Sequence, residues 1–236
     1  MKIKVDKHAL KLTFIFSVIH FLLALYYAYF CLGNDFIVQG DFLKMLMGGI
    51  RVEESGNLFC VYVANGFMKD LKTNFLYIFL RTNKREIWLR GAIVKTAMST
   101  LCYESFFGIF IVAIKIFMWN DVHFAVDEFL IMFVMEFMQV FMLVLFSNIL
   151  LLFFSETAGV FGTLLELSVP TLITGVTYEN NGAWQYPAKC IPFNLGNYNY
   201  MSSCNMNMFI AALVILVLCI VMYVIAAWRI NRYELI

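Results

Sequence analysis

The chain has 236 residues, of which 62% are hydrophobic and only 14% are charged. Soluble domains contain roughly 45–50% apolar and about 25% charged residues, so this composition excludes an ordinary soluble protein and predicts an integral membrane protein. The formal net charge of +1 gives no global basic field, which argues against a nucleic-acid partner.

Long apolar runs predict an all-α, polytopic membrane protein with six transmembrane helices in a single domain, 1–236. A helix needs roughly 17–25 apolar residues to cross a bilayer. The second run is short and must include part of its charged flanks. Pro170 is expected to kink the fifth helix because proline leaves one backbone carbonyl unpaired. The expected spans are 12–31, 56–68, 91–117, 129–154, 158–177 and 207–228.

The positive charges predict how the chain is oriented. With six spans, 13 of the 17 Lys and Arg residues fall on the same side as both termini. Because cytoplasmic loops retain an excess of Lys and Arg, we expect both termini in the cytoplasm. Without the second span the later helices would invert and this asymmetry would be lost.

A basic, amphipathic segment, 68–90, joins the second and third spans. Apolar side chains recur at helical spacing in its first half, opposite Lys and Asn side chains. This pattern is typical of a helix at a membrane surface or of one that docks on a partner, and an ordinary solvated linker is the alternative. Its second half carries a cationic cluster with one tryptophan: Arg81, Lys84, Arg85, Trp88 and Arg90.

Three acidic residues, Glu104, Glu136 and Glu166, lie within predicted spans. An ionised acid in the bilayer costs at least a few kcal/mol, so each is expected to face protein or water, or to be protonated. Gln139 shares a helical face with Glu136. Hydrogen bonds between helices are the favoured role, and a proton relay or a contact for a cationic substrate is the alternative.

Motifs for catalysis and for bound cofactors are absent from the sequence. It has no GxxxxGK[ST] phosphate loop, no HExxH and no Gly-x-Ser-x-Gly elbow, so we expect neither an enzyme nor a resident cofactor. The six cysteines have no metal-ligand spacing. Cys190 and Cys204 fall in one polar loop, 178–205, and could pair if that loop is extracellular, but free thiols are the favoured state. His20 is expected to be a contact between helices.

The arrangement resembles the ABC-2 type permeases, which have a type V exporter-like architecture. Within them it is similar to small bacterial permeases of peptide-export and bacteriocin-immunity systems, and this resemblance implies a bacterial plasma membrane as the location of the chain. The shared features are six spans, cytoplasmic ends, a basic segment before the third span and a polar loop before the sixth. The local match is the run RTNKREIWLR, residues 81–90.

The resemblance implies roles for two regions. Coupling to a separate ABC ATPase, which would carry ATP and Mg²⁺, is implied for Arg81, Lys84, Arg85, Trp88 and Arg90. The loop before the sixth span would dip into the membrane, with a gate lined near Trp184, Pro187 and Pro192. A second permease chain, identical or related, would complete the pathway.

We therefore expect a permease subunit of an ATP-binding-cassette exporter that moves a peptide or another amphipathic substrate out of the cell or membrane. One alternative is a stand-alone secondary transporter that uses Glu104, Glu136 or Glu166 as a proton carrier. The other is a structural or signalling membrane subunit that transports nothing.

Overall fold

The computed structural model describes residues 7–33, 52–73, 85–117, 126–154, 157–165, 195–196 and 206–232. Every regular element within those ranges is a helix, which confirms the all-α prediction. The helices are α1 (Lys7–Gly33), α2 (Val52–Thr73), α3 (Arg85–Phe117), α4 (Val126–Phe153), α5 (157–165) and α6 (Met208–Asn231).

Four of these helices, α1, α3, α4 and α6, are long and apolar enough to cross a membrane. The chain is therefore compatible with a multi-pass membrane protein, as its composition predicts. Helix α2 is long enough, but it begins and ends with charged residues that lower its hydropathy. Only the first part of the predicted fifth span lies among the described residues, as α5. The six-span arrangement stays a prediction.

The basic segment 68–90 does not form one helix of its own. Residues 68–73 are the last turns of α2, and residues 85–90 are the first turns of α3, while 74–84 lie outside the described residues. The predicted spans 56–68 and 91–117 are shorter than helices α2 and α3, because hydropathy counts only the apolar central part of each helix. Lys and Arg side chains can extend a helix beyond its apolar part because their long stems reach water.

Aromatic contacts show that α1 runs parallel to α3. Phe14 lies against Phe106, with ring centroids 5.2 Å apart, and Phe21 lies against Phe110 at 5.0 Å. The residue numbers rise together along the two helices. Both helices therefore start at the same end of the bundle.

Helix α2 runs antiparallel to α3. The ring of Phe59 stacks on Tyr103 with centroids 4.2 Å apart, and Asp70 forms a 2.9 Å ion pair with Lys95. Residue numbers thus rise along α2 as they fall along α3. Helix α2 extends through the bundle beside α1, α3 and α4, and its apolar face is buried there.

Helices α4 and α6 run parallel to each other and antiparallel to α3. The amide of Asn148, late in α4, donates a 3.4 Å hydrogen bond to the hydroxyl of Thr96, early in α3. Arg229, in the last turn of α6, donates a 3.2 Å hydrogen bond to the carbonyl of Leu152 at the end of α4. Because α4 ends where α6 also ends, the chain between them must return to the opposite end of the bundle.

Positive charge is concentrated where α1 and α3 begin and where α2, α4 and α6 end. We call this part of the molecule the basic end. Of the ten Lys and Arg residues that the structure describes, only Lys115 lies at the opposite end. The basic end holds Lys7, Lys11, Lys69, Lys72, Arg85, Arg90, Lys95, Arg229 and Arg232.

Two glycines allow α5 to fold back closely on the end of α4. Gly159 lies against Leu151, and Gly162 lies against Leu150. A Cβ added at Gly159 would stand only 3.3 Å from the Cα of Leu151, so the backbones themselves are close. This is the small-residue surface that the fifth span needs in order to approach another helix.

Replacing Gly159 by alanine is expected to lower the free energy of unfolding by about 1–2 kcal/mol, because the added methyl group overpacks this contact. Gly66→Ala in α2 is the matched control. A Cβ at Gly66 meets nothing within 4 Å, so the better helix propensity of alanine should stabilise by ~0.5–1 kcal/mol. Thermal unfolding in detergent measures both changes. Equal midpoints for the two variants would contradict the close α4–α5 contact.

Candidate functional site

Buried polar side chains follow the inner faces of α1, α3 and α4, which is unusual for helices that are otherwise so apolar. Some of them form local hydrogen bonds within one helix, as Ser147 does by donating to the carbonyl of Leu143 at 2.9 Å. Others connect helices. The buried polar residues on these three helices are Thr13, Ser17, His20, Thr96, Thr100, Glu104, Glu136, Gln139, Ser147 and Asn148.

His20 joins α1 to α3. Its Nδ1 and the hydroxyl of Tyr103 are 2.8 Å apart, and its ring stacks on Phe107 with centroids 4.1 Å apart. Ser17, one turn earlier, donates a 3.0 Å hydrogen bond to the carbonyl of Tyr103. These contacts confirm the prediction that His20 is a helix contact.

Glu104 and Glu136 lie near the middle of α3 and α4. Glu104 is completely buried, and Glu136 is 6% exposed. Neither carboxylate oxygen of Glu104 has a hydrogen-bond partner among the described residues. The sequence interpretation favoured a hydrogen bond between helices, and for Glu104 the described residues show none.

A turn at residues 195–196 reaches the same part of the bundle. Leu195 is 6% exposed and belongs to a core cluster with Met142 and Ala211, and Gly196 lies directly against the side chain of Gln139. Gln139 is one helical turn from Glu136. This part of the predicted outer loop therefore approaches the level of the buried Glu136. The described turn at 195–196 therefore packs against the inner face of α4.

Several predicted site residues lie outside the described residues, so their roles stay predictions. They are Arg81 and Lys84 of the run 81–90 (the predicted coupling run), Glu166 of the predicted fifth span, Trp184, Pro187 and Pro192 of the expected gate, and Cys190 and Cys204.

Arg85 connects the start of α3 to the end of α6. Its guanidinium donates hydrogen bonds to the carbonyls of Ile230 and Asn231, at 3.3 and 2.9 Å. The last carbonyls of a helix have no partner within the helix and carry partial negative charge. Arg85 therefore caps α6 from a neighbouring helix.

Trp88 and Arg90 continue this connection. Trp88 is half-buried, and its ring lies 5.3 Å from that of Phe67 in α2. Arg90 is exposed, donates a 3.3 Å hydrogen bond to the hydroxyl of Tyr223 in α6, and pairs with Glu86 at 3.6 Å. Of the predicted coupling residues that the structure describes, Arg90 is the most accessible to a partner.

No protein-family model, curated protein or solved structure matches this chain. The described ranges contain no group of three or more His, Cys, Asp and Glu side chains that could hold a metal ion. What they offer chemically is a carboxyl pair that can take up protons and a basic end that can receive a partner.

The sequence interpretation missed Arg229. Its guanidinium caps the end of α4 through the carbonyl of Leu152 and lies over the ring of Phe153, 5.1 Å from the ring centroid. The sequence does show a cation near the end of the sixth apolar run, and cations in this position stabilise helix C-termini. That it caps α4 follows only from the parallel packing of α4 and α6.

Proposed function

We propose that this chain is the membrane-spanning subunit of an exporter driven by a separate ATPase, of the ABC-2 permease type. Its substrate would be a peptide or another amphipathic molecule. In this proposal the chain crosses the membrane six times, with α2 as the second crossing and with α5 starting the fifth. The alternating helix directions support this, since α2 connects the end reached by α1 to the end where α3 begins.

The observation that carries the proposal is how the start of α3 is joined to its neighbours at the basic end. Arg85 binds the end of α6, Trp88 packs on α2, and Arg90 binds Tyr223. Movement of residues 81–90 would therefore displace α2, α3 and α6 together. A coupling element needs this property, because a push from outside the membrane must change the packing of several helices at once.

Charge supports a cytoplasmic position for this element. Nine of the ten described Lys and Arg residues lie at the basic end, so the positive-inside rule favours a cytoplasmic position for that end. ATP is available there to a partner ATPase. ATP and Mg²⁺ would bind the partner, and a second permease chain would complete the pathway.

Charge reversal in the coupling run tests the proposal. The full-length chain is purified from its native membrane in mild detergent, and ATP hydrolysis and a co-purifying P-loop ATPase are measured. We expect the triple variant Arg81→Glu, Lys84→Glu, Arg90→Glu to bind the ATPase at least about tenfold more weakly, which is ~1.4 kcal/mol. The matched control reverses Lys4, Lys7 and Lys11, which lie on the same side in this proposal, and should keep the complex.

The triple variant and its control carry the same change in net charge, so a general effect of charge would weaken ATPase binding by both variants. If the coupling variant retained the complex and ATP-dependent transport in vesicles, the proposed function would be wrong. Proton-driven transport without any ATPase would instead favour a secondary transporter.

A further inference from the structure

The carboxyl groups of Glu104 and Glu136 occupy the same level of the bundle. Helices α3 and α4 are antiparallel, with Thr96 opposite Asn148 and Gly108 beside Phe133. Between these two contacts, Glu104 falls opposite residues 137–140 of α4, and Glu136 lies within one helical turn of that stretch. The two side chains therefore lie on neighbouring helices at nearly the same depth, and both are buried.

No described cation lies at this level to neutralise the pair. All ten described Lys and Arg residues belong to the ends of the bundle, and Lys95 is already paired with Asp70. A carboxylate in an apolar interior costs several kcal/mol unless it is paired, and two facing carboxylates also repel each other. The pair therefore needs a positively charged ligand or a proton.

Two other titratable side chains near this level come from α1 and α2. From α1 comes His20, whose Nδ1 is paired with the hydroxyl of Tyr103 in α3. From α2 comes Cys60, which is buried in the cluster that contains Tyr103 and Val140. The described turn at 195–196 and the buried positions of α6 bring no acid or base to this level.

The surroundings favour a proton over a metal cation. The described residues contain no group of three or more His, Cys, Asp and Glu that could hold a metal ion, and metal cations need several ligands. The residues around Glu104 include Phe59, Phe107 and Val140, which are at most 1% exposed. A proton needs no coordination shell and fits a packed site.

We infer that Glu104 and Glu136 form a proton-binding pair inside the bundle, which holds at least one proton while the helices are packed as seen here. Release breaks the O–H bond of one carboxyl group, the proton passes to a water molecule as hydronium, and a carboxylate remains. The carboxylate is stable only where water reaches it. Deprotonation therefore accompanies a movement of α3 against α4 that admits water.

Carbodiimide labelling of the chain alone tests this inference. N,N′-dicyclohexylcarbodiimide is hydrophobic and reacts with protonated carboxyl groups in apolar surroundings. The full-length chain is reconstituted in phosphatidylcholine vesicles without any ATPase, treated at a series of pH values, and mapped by peptide mass spectrometry. We expect an adduct at Glu104 or Glu136 that disappears as the pH rises. The exposed Glu86 should stay unlabelled, whereas a water-soluble carbodiimide should label Glu86 and not the pair.

Single amide variants test whether the two groups act together. In Glu104→Gln, labelling of Glu136 should disappear at a pH about one unit lower, because no neighbouring charge opposes its ionisation. Glu86→Gln is the matched control and should leave the pH dependence of labelling at Glu104 and Glu136 unchanged. If Glu104→Gln does not fold, the profile of the unmodified chain still decides the question.

The inference is overturned if the intact protein shows no adduct at either residue, or shows labelling that does not change with pH. Protection by a hydrophobic ammonium compound at constant pH would also overturn it and would assign the pair to a cationic ligand. Because no ATPase takes part, each of these outcomes leaves the proposed function standing. Loss of the ATPase complex, conversely, would leave the labelling unaffected.

Discussion

Replacing Arg85 by alanine is expected to lower the free energy of unfolding by about 2–3 kcal/mol. The variant loses two hydrogen bonds from a cation to the end of α6, and each hydrogen bond to a charged group contributes roughly 1.5–3 kcal/mol, less where water competes. Without Arg85 the carbonyls of Ile230 and Asn231 also lose their cap. Thermal unfolding in detergent gives the stability, and hydrogen exchange of residues 226–232 shows whether the end of α6 loosens.

Arg232→Ala is the matched control for this prediction. Arg232 also lies at the end of α6, but its guanidinium lies over the ring of Trp228, 4.6 Å from the ring centroid. Such a contact contributes ~0.5–1 kcal/mol at an exposed site. The loss of stability in Arg85→Lys should lie between those of Arg85→Ala and Arg232→Ala, since lysine keeps the positive charge but lacks the planar guanidinium with its several donors. If Arg85→Ala were no more harmful than Arg232→Ala, the cap would have no energetic role.

Replacing Gly196 by leucine is expected to displace the turn at 195–196 from α4 and to lower the free energy of unfolding by about 3 kcal/mol, at the upper end for overpacking. A Cβ at Gly196 would collide with the side chain of Gln139. Leu195 would then leave the core cluster. Gly33→Leu is the control, because a Cβ at Gly33 meets nothing within 4 Å.

Cysteine reactivity at position 195 measures this displacement directly. In Leu195→Cys alone, the buried thiol should react slowly with a maleimide, as judged by mass spectrometry of its peptide. Adding Gly196→Leu should speed the reaction at least about tenfold if the opening costs ~1.4 kcal/mol less. Unchanged reactivity would mean that the turn does not depend on its contact with Gln139.

Hydropathy located the long apolar helices because their signal is local. The expected spans 91–117 and 129–154 lie within a few residues of Arg85–Phe117 and Val126–Phe153. The helix ends were less accurate, since charged residues continue a helix without adding apolar character. The extent of α2 depends on contacts such as Phe59 with Tyr103, which join residues far apart in the chain.

The candidate site was only partly visible in the sequence. Glu104 and Glu136 could be selected by their type and position, because acids are rare within apolar helices. Their facing arrangement depends on the register of α3 against α4, which no local pattern encodes. The same is true of Arg85. Its charge suggested a partner contact, but its hydrogen bonds go to carbonyls that are 145 and 146 positions further along the chain.

The charged ends of α2 have a consequence for biogenesis in the proposed six-crossing arrangement. A nascent segment enters the lipid from the translocon when it is apolar enough on its own. Helix α2 is less apolar than α1, α3, α4 and α6, the four helices that are apolar enough to cross a membrane. Helix α1 contacts part of the apolar face of α2, and the rest becomes covered only when α3 and α4 have been synthesised. Stable insertion of α2 must therefore follow the arrival of those helices, and a ribosome-bound chain that stops before residue 117 would leave α2 outside the bilayer.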